Sequence, residues 1–451
     1  MQSKKPRRIT GGAFFFAISS LSLIISLMQK PYKITTLKNG LRIVTVPMPQ
    51  AETVTVMTLA GVGSHYESKE IGGISHFLEH MCFKGTQNRT YTEIASELDG
   101  LGAESNAFTN SELTGYFAKA HHRHIDTIID IISDISINST FPEAELKKER
   151  GVIVEELRMY EDMPQRKIYE VFTELLYGNQ PAGRPIIGTM ESLKNINQKK
   201  MSEYHKKYYV ASNVVVVVAG KIESASIVKK ITRAFKDIPT TKSSPMPKIV
   251  EKQNKPALKI QKKKTDQTHM ALGCRSFGRH DKRGVTADLM ATILAKGFSS
   301  RLFKEMRDER GMCYYVRAMN STETDVGVFL VTAGVNSSRI EEAVEVVMSQ
   351  LKRLKDEPVS LKELQKAKEY SIGHLTLAHE SSDAFADLYG MQVLFKDTPV
   401  KTLQEEIASI RKVTAEDIQK LAQEIFVDKN LNFAVIGNVK ETVSLKKALK
   451  F

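Results

Sequence analysis

The sequence has few cysteines, and those it has are far apart. Cys82, Cys274 and Cys313 form an odd set without a CxxC pair. This spacing supports neither a disulfide framework nor a zinc site built from thiolates. We therefore expect the three side chains to be small, buried apolar groups.

A concentrated basic stripe is also missing, although the chain is basic overall. Its 65 Lys+Arg exceed its 52 Asp+Glu, and the resulting charge of +13 is spread along 451 residues. The two densest basic clusters, SKKPRR and KIQKKKTDQ, are short and lack the stacking aromatic residues of a nucleic-acid surface. Nucleic acid is therefore not an expected partner, and the charge indicates solubility and long-range steering.

The first 31 residues differ in composition from the rest of the chain. The basic stretch SKKPRR precedes the apolar run GAFFFAISSLSLIISLM, which ends at Met28. This order is typical of secretion signals, and no clear small-residue cleavage site follows it. We predict an uncleaved anchor with residues 13–28 as a membrane tether, on a membrane-anchored or exported protein. The alternatives are a cleaved signal, or translation from Met28 and a cytoplasmic protein.

Hydrophobic periodicity predicts strands and helices over the rest of the chain. The alternation around Asn39-Gly40 predicts a β-hairpin, TVTVMTLAGVGS continues with strand period, and SNVVVVVAG predicts a buried strand. Helical periods fall at 71–84, 91–100, 121–136, 143–160, 165–177, 197–208 and 223–236. The proline-containing stretch PTTKSSPMPKIVEKQNKPA breaks the periodicity and predicts a linker at 240–257.

The stretch ISHFLEHMCFKGT places two histidines and a glutamate within five residues. Helical spacing would bring His76, Glu79 and His80 onto one face of one turn. Two neutral imidazoles at i and i+4 can share one Zn²⁺, with the carboxylate beside the ion. HxxEH is also the reverse of HExxH and occurs in metallopeptidases.

The part of the chain after the linker, 258–451, repeats the part before it, 32–239. YVASNVVVVVAGKI and FVDKNLNFAVIGNV share an aromatic residue, a valine, an asparagine, an apolar strand and a glycine at one spacing. This indicates an internal duplication. The same alignment sets Asp288, Ala291 and Thr292 against the HxxEH residues. Only the first half is therefore expected to bind metal.

A catalytic zinc site needs a third protein ligand and an open position for water. The stretch ELKKERGVIVEELRMYEDMP supplies two candidates, Glu149 and Glu156, which lie seven residues apart on one helical face. Periodicity alone does not choose between them.

GGISHFLEHMCFKGT, followed by ERGVIVEEL, resembles the pitrilysin and insulinase family of inverted-motif zinc peptidases. That family includes the mitochondrial processing peptidases, and the chain resembles the bacterial peptidases of this type. The resemblance implies zinc ligands at His76, His80 and Glu156. It implies Glu79 as the general base and Glu149 as a residue that supports the ligands.

The resemblance extends over roughly residues 32 to 440. AESNAFTNSELTGYF is similar to the family's edge strand, whose Asn-Ala pair, here Asn106 and Ala107, contacts the substrate backbone. SSRLFKEMRDERGMCYYV resembles the segment with an arginine and a tyrosine, here Arg307 and Tyr314. These two implied catalytic residues would donate hydrogen bonds to a carbonyl as it gains negative charge.

The fold implied by the resemblance is α+β. Two homologous α/β-sandwich halves, each an antiparallel sheet covered by helices, would form a clamshell. The implied function is a zinc-dependent endopeptidase, with one Zn²⁺ per chain, that cleaves peptides or unfolded polypeptide segments added as a strand at the sheet edge. Because one chain holds both the metal half and the Arg/Tyr half, we expect it to be self-sufficient, as a homodimer. The alternative is a non-catalytic peptide-binding or scaffold subunit of the same fold.

A second imidazole cluster, KAHHRHID, contains His121, His122 and His124 without an accompanying carboxylate motif. It falls at a predicted strand-to-helix junction, where exposed histidines are common. We therefore predict a solvated helix start and not a metal site. His269 is predicted to lie in a strand.

Overall fold

A computed structural model describes residues 30–396, 399–440, 445 and 449–451. Within these ranges no helix combines the length and the apolar character needed to cross a membrane. The predicted tether at residues 13–28 lies outside the described residues and stays a prediction.

The first sheet has six strands in the order β1-β2-β6-β3-β5-β4. These strands are β1 Lys33–Thr36, β2 Arg42–Pro47, β3 Thr53–Ala60, β4 Glu104–Thr109, β5 Thr114–His121 and β6 Val214–Gly220. The predicted hairpin is confirmed as β1 and β2, and Gly40 in its turn adopts a φ of 93°. Every residue of the valine-rich β6 is buried, as its composition predicts. At the far edge of the sheet lies β4.

The second sheet repeats this topology with five strands in the order β7-β11-β8-β10-β9. These strands are β7 Ala257–Lys262, β8 Thr268–Arg275, β9 Cys313–Thr322, β10 Gly327–Val335 and β11 Leu431–Gly437. One neighbouring pair is parallel in each sheet, β2 with β6 and β7 with β11. The duplication and the fold class are thus confirmed, and His269 lies in β8 as predicted. All three cysteines are buried and unpaired.

Fourteen α-helices accompany the sheets in the described part of the chain. Those before the linker are α1 Ile74–Cys82, α2 Tyr91–Gly100, α3 Ile125–Ile137, α4 Glu143–Glu161, α5 Pro164–Tyr177, α6 Met190–Lys194, α7 Gln198–Tyr208 and α8 Ser224–Ala234. Those after it are α9 Gly284–Ala295, α10 Ile340–Asp356, α11 Leu361–Ala378, α12 Ser382–Leu394, α13 Leu403–Lys412 and α14 Ala415–Ile425. The helix predicted at 121–136 starts later because residues 122–124 form a 3₁₀ turn.

Each sheet is covered on one face by helices of its own half and on the other by a helix from the other half. Helix α12 packs on the first sheet, where its Tyr389 joins a core with Val217. Helix α5 packs on the second sheet, where its Phe172 joins a core with Ile436. This reciprocal exchange of α5 and α12 ties the two halves together through buried apolar surface.

The predicted linker contains no helix or strand until β7 begins. The Ile249 N–H donates to Asp325 Oδ2 over 3.0 Å, and the Val250 N–H donates to Gln180 Oε1 over 2.7 Å. These bonds attach the linker to both halves. The domain limits 32–239 and 258–451 stay predictions.

Candidate metal centre

The HxxEH motif lies on α1 with its apolar side in the core. Ile74, Phe77, Leu78 and Met81 are fully buried. The motif side chains turn to the opposite, partly open side of the helix, as the spacing predicts.

The start of α1 is fixed by a buried carboxylate. Glu67, 4% exposed, accepts hydrogen bonds from the Gly73 N–H over 2.6 Å and from the Ser75 N–H over 2.8 Å. These donors belong to the first turn, where backbone N–H groups lack partners within the helix. Gly73 has a φ of 90°, and a Cβ there would lie 2.5 Å from the Ile187 carbonyl oxygen. The helix was predicted to begin at residue 71 but begins at Ile74. The contacts of Glu67 and Gly73 hold this helix start in a defined position.

Helix α4 brings both candidate glutamates to α1, and the structure separates their positions. Glu156 Oε2 lies 3.6 Å from His76 Nε2 and 3.7 Å from His80 Nε2. Glu149 lies on the other side of His80, and its Oε1 is 2.9 Å from His80 Nδ1. Because a carboxylate only accepts, Nδ1 carries the proton and Nε2 keeps its lone pair for a metal. This geometry supports Glu156 as the third ligand and Glu149 as the residue that orients His80.

The three candidate ligands suit a zinc ion. One donor atom from each of His76, His80 and Glu156 lies within 4.8 Å of the other two. Two imidazole nitrogens and one carboxylate oxygen form a donor set typical of catalytic zinc, and three protein ligands leave the fourth position open.

The protonation of both histidines follows from their surroundings. Burial, followed by the neighbouring His80, lowers the pKa of His76 to about 4, so this imidazole is neutral near neutral pH. Burial also acts to lower the pKa of His80, but the hydrogen bond with Glu149 and nearby carboxylates outweigh it and raise that pKa. A metal at His80 therefore competes with a proton more strongly than a metal at His76 does.

Glu79 occupies an environment that suits a proton carrier. Burial raises the pKa of its carboxyl group, although a hydrogen bond with Thr109 and the charge of His80 oppose the rise. Its Oε2 is buried and has no hydrogen-bond partner within the described residues. The oxygen is thus free to accept a proton from a bound molecule.

Two residues that sequence reasoning missed hold the candidate ligands in place. The Tyr160 hydroxyl donates to Glu156 Oε1 over 2.7 Å. Lys84 Nζ lies 2.9 Å from Glu149 Oε2. Tyr160 follows Glu156 by four residues on α4, so helical spacing could have indicated this contact.

The candidate ligands, together with Glu79 and Tyr160, line a cavity of about 600 Å³ between the two halves. His76, Glu79 and His80 lie on one wall, and Ser321 and Glu323 come from the second half.

The predicted substrate-binding pair lies on the edge strand next to this cavity. Asn106 and Ala107 are in β4, and Asn106 Oδ1 accepts from the Ala107 N–H over 2.9 Å. Both residues line a small surface pocket together with Glu79 and His80. The geometry therefore places them beside the candidate metal site.

The predicted Arg307 and Tyr314 contact each other but do not line the metal cavity. The Arg307 guanidinium lies 5.1 Å from the Tyr314 ring centroid. Arg307 is in a π-helical segment, Phe303–Glu309, and Tyr314 is 72% exposed near the start of β9. Tyr314 lines a neighbouring cleft, so the predicted catalytic role of this pair stays a prediction.

The second imidazole cluster was predicted to lack an accompanying carboxylate, and the structure corrects this prediction. Glu52 Oε2 lies 3.8 Å from His121 Nε2 and 3.6 Å from His122 Nε2. The pairing of β3 with β5 brings it there, because Thr53 is the partner of His121. Glu52 is 68% exposed and also contacts Lys221 over 3.1 Å. The junction is therefore solvated, and the prediction that it is not a metal site stays a prediction.

Another group that the sequence did not indicate lies between the halves. His65, Glu112 and Glu323 have potential ligand atoms within 4.8 Å of one another. Glu112 already accepts from Arg279 and from the Thr324 N–H, each over 2.7 Å. These bonds make the group a contact between the halves.

The two sheets have matching topology, and an HxxEH helix and a distant glutamate face a shared cavity. This combination defines the class of inverted-motif metallopeptidases. A family model described as "Insulinase (Peptidase family M16)" matches residues 42–190. A second, described as "Peptidase M16 inactive domain", matches residues 195–370. The chain belongs to peptidase family M16, the insulinase family.

Relatives and solved structures agree with this membership. The chain is 34% identical to the uncharacterized zinc protease YmxG of Bacillus subtilis, over 87% of this chain and 95% of that protein. It is 30% identical to an uncharacterized zinc protease of Streptomyces coelicolor, over 90% of each chain. A protease structure from Helicobacter pylori matches with a TM-score of 0.84 at 26% identity, covering 90% of this chain and 99% of that one. A Pseudomonas fluorescens structure described as a peptidase M16 inactive domain shares the fold, with a TM-score of 0.84 at 18% identity, covering 91% of this chain and 98% of that one.

Proposed function

We propose that this protein is a zinc-dependent endopeptidase that hydrolyses peptides or unfolded polypeptide segments. The convergence of His76, His80 and Glu156 at one point, with Glu79 beside them, carries the proposal. The names of the relatives as zinc proteases support the metal and the reaction class.

Each residue of the centre has a role in this reaction. One zinc ion per chain, held by His76, His80 and Glu156, would polarise the scissile carbonyl and acidify the attacking water. Glu79 Oε2 accepts the proton of that water and passes it to the leaving amine. Glu149 keeps His80 in the tautomer that leaves Nε2 available.

The substrate is expected to lie in an extended form along β4. This strand pairs with β5 on one side and ends the sheet on the other, so its outer backbone edge can accept a further strand. Backbone pairing at Asn106 and Ala107 depends on few side chains of the substrate, so it is compatible with a broad sequence preference. Arg307 and Tyr314 would reach the carbonyl only after the second half closes on the substrate, with residues 240–257 as the hinge.

The Glu79→Gln variant tests the proposal. We expect it to keep zinc, since it removes no ligand, and to lose cleavage of a quenched fluorescent peptide by about 10³-fold. Glu155→Gln is the matched control, because Glu155 is exposed on α4 and pairs with Arg158. Zinc content and cleavage rate are measured on both variants.

The alternative, a non-catalytic peptide-binding or scaffold subunit, makes a different prediction. Zinc-loaded wild-type protein would then bind members of a diverse peptide library and cleave none of them. We also expect a homodimer, which light scattering on the purified protein would test.

A further inference from the structure

Beside the metal cavity lies a second, larger cleft between the two halves. This cleft has a volume of about 1350 Å³ and is lined by the start of α5, the residues before β8 and the strand β9. Arg166 and Tyr169 line both spaces. A peptide that passes the metal centre can therefore continue into this cleft.

Two arginines in the cleft have no carboxylate partner within the described residues. The Arg166 guanidinium lies over the Tyr160 ring, 5.1 Å from its centroid, and that of Arg317 lies over the Tyr315 ring at 5.7 Å. Two other arginines near the contact between the halves are paired with carboxylates: Arg275 with Glu251 and Arg279 with Glu112. A guanidinium held over a ring keeps its N–H groups free at its edge and loses less freedom on binding an anion.

The remaining charges of the cleft leave it positive. Lys264 has no carboxylate partner in the described chain, whereas Lys263 pairs with Asp162 over 3.6 Å. Asp266 is the other carboxylate among the lining residues, which therefore comprise four cations and two anions. We call Arg166, Lys264 and Arg317 the cationic subsite.

The register of β9 sets the distance between this subsite and the metal cavity. Arg317 and Ser321 are an even number of residues apart, so both lie on one face of β9. Ser321 lines the metal cavity and Arg317 the cleft. Four residues of strand span roughly 13 Å, which an extended peptide also covers in about four residues.

We propose that the cationic subsite binds a carboxylate of the peptide substrate about four residues from the cleaved bond. The substrate class is then peptides that carry Asp or Glu, or a free C-terminus, at that position. This inference rests on the proposed function. It adds a contact that selects a substrate side chain or chain end to a site that otherwise contacts the substrate backbone. Arginine is the residue best suited to this role, because its paired N–H groups match the two oxygens of a carboxylate.

The first measurement compares peptides that differ at one position. A quenched peptide is prepared with Glu, Gln or Lys at each position on both sides of its cleaved bond, and a shorter form ends in a free or amidated C-terminus. We expect kcat/KM for Glu to exceed that for Lys by about tenfold at one position and to differ little elsewhere. The preference should shrink as NaCl rises from about 50 mM to about 500 mM, since salt screens exposed charges.

The second measurement assigns the preference to named residues. Lys264→Gln/Arg317→Gln should reduce the Glu-to-Lys ratio towards one while cleavage of the Gln peptide stays within about threefold of wild type, because both side chains line the cleft and not the metal cavity. The control, Lys229→Gln/Arg233→Gln, removes the same charge from exposed positions on α8, which packs against α3 and β2. It should leave the ratio unchanged.

The outcomes separate this inference from the proposed function. If wild-type protein cleaves peptides with equal efficiency for Glu and Lys at every position, the cationic subsite is refuted and the peptidase stands. If no peptide is cleaved, the proposed function fails. Binding of fluorescent peptides to Glu79→Gln then tests the subsite alone, with tighter binding of the Glu peptide expected and equal binding refuting it. A preference for the free C-terminus alone would assign the subsite to the chain end.

Discussion

Helices α1 and α9 occupy the same place in two sheets of matching topology, yet only α1 carries metal ligands. Both helices pack an apolar side into the core below them. The residues of α9 at the three motif positions are Asp288, Ala291 and Thr292. Burial raises the pKa of Asp288, so even its one carboxyl group sits where charge is disfavoured.

Helices α4 and α11 differ in the same way. When α4 and α11 are aligned at their buried leucines, Leu146 and Leu364, Glu149 corresponds to Ala367. By the same count, Glu156 corresponds to His374. Most apolar positions of α1 have apolar counterparts in α9, such as Leu289 for Phe77 and Ile293 for Met81, whereas the candidate ligand set is present only in the first copy. The fold therefore depends on the periodic apolar residues and the chemistry on a few side chains that the fold does not need.

The largest expected difference between the halves concerns the metal. His80→Ala should reduce zinc affinity by at least about a thousandfold, because it removes one of three protein ligands. Thr292→Ala, at the corresponding position of α9, should leave zinc affinity unchanged. Competition titration with a chelating dye measures both, and an equal loss in the two variants would contradict the assignment of the metal to the first half.

The two helix starts should differ in their tolerance of a methyl group. Gly73→Ala should cost about 2–4 kcal/mol of unfolding free energy, because it combines a positive φ with a clash against backbone. At Gly284, the first residue of α9, an added Cβ meets nothing within 4 Å. Gly284→Ala should therefore cost nothing or stabilise by up to about 1 kcal/mol. Urea unfolding of the metal-free proteins measures both, and similar costs would argue against a special constraint at α1.

Acid should weaken the first half through His205 on α7. Burial lowers the pKa of His205 to about 4, and its Nε2 lies 2.9 Å from the Ser136 carbonyl oxygen. A lowered pKa means that the folded state binds the proton less tightly than the unfolded chain. The contribution of His205 is therefore complete above the ordinary pKa of 6.5 and is lost as pH falls towards 4, by up to about 3 kcal/mol.

The His205→Phe variant isolates this effect. Its ring can keep the stacking on Tyr209 and the edge-to-face contact with Phe141, but it has no proton to bind. Compared with wild type, its urea midpoint should fall less between about pH 7 and about pH 5. Ala422 stands at the corresponding position of α14, so no similar effect is expected there. Parallel pH curves for wild type and variant would contradict the assignment.

The smallest expected effect concerns the support of His80. Glu149→Gln should lower zinc affinity by about 10- to 100-fold, because an amide orients His80 less firmly than a carboxylate does. Glu145→Gln on the same helix is the control, since Glu145 pairs with Lys148 away from the site. Unchanged affinity in the first variant would show that Glu149 does not support the ligand.

Local elements could be predicted from the sequence because their causes are local. Helix α2 spans the predicted residues 91–100, and it starts at a capping box formed by Thr90 and Glu93. The HxxEH face of α1 follows from its spacing alone. The position of Glu156 relative to Glu149 required the family resemblance, because both lie on one face of α4.

Contacts made by distant segments could not be predicted in this way. Nothing in the periodicity of 382–394 indicates that α12 covers the first sheet. Glu67 is an ordinary glutamate in the sequence, and only the fold brings its carboxylate to the start of α1. Glu52 reaches His121 through strand pairing, which a local pattern does not encode. Arg307 and Tyr314 contact each other, and their predicted approach to the metal would require a movement of the halves that no local pattern in the sequence indicates.

The reciprocal exchange of α5 and α12 has a consequence for biosynthesis. Until the ribosome has made residues 382–394, the outer face of the first sheet, with Val44, Met57 and Val215, has no cover. From the completion of β6 at Gly220 until α12 is made, this apolar face of the growing chain is uncovered, which favours contact with chaperones or with other chains. A nick in the linker of the mature protein should leave the two fragments clasped together, whereas either fragment made alone should aggregate.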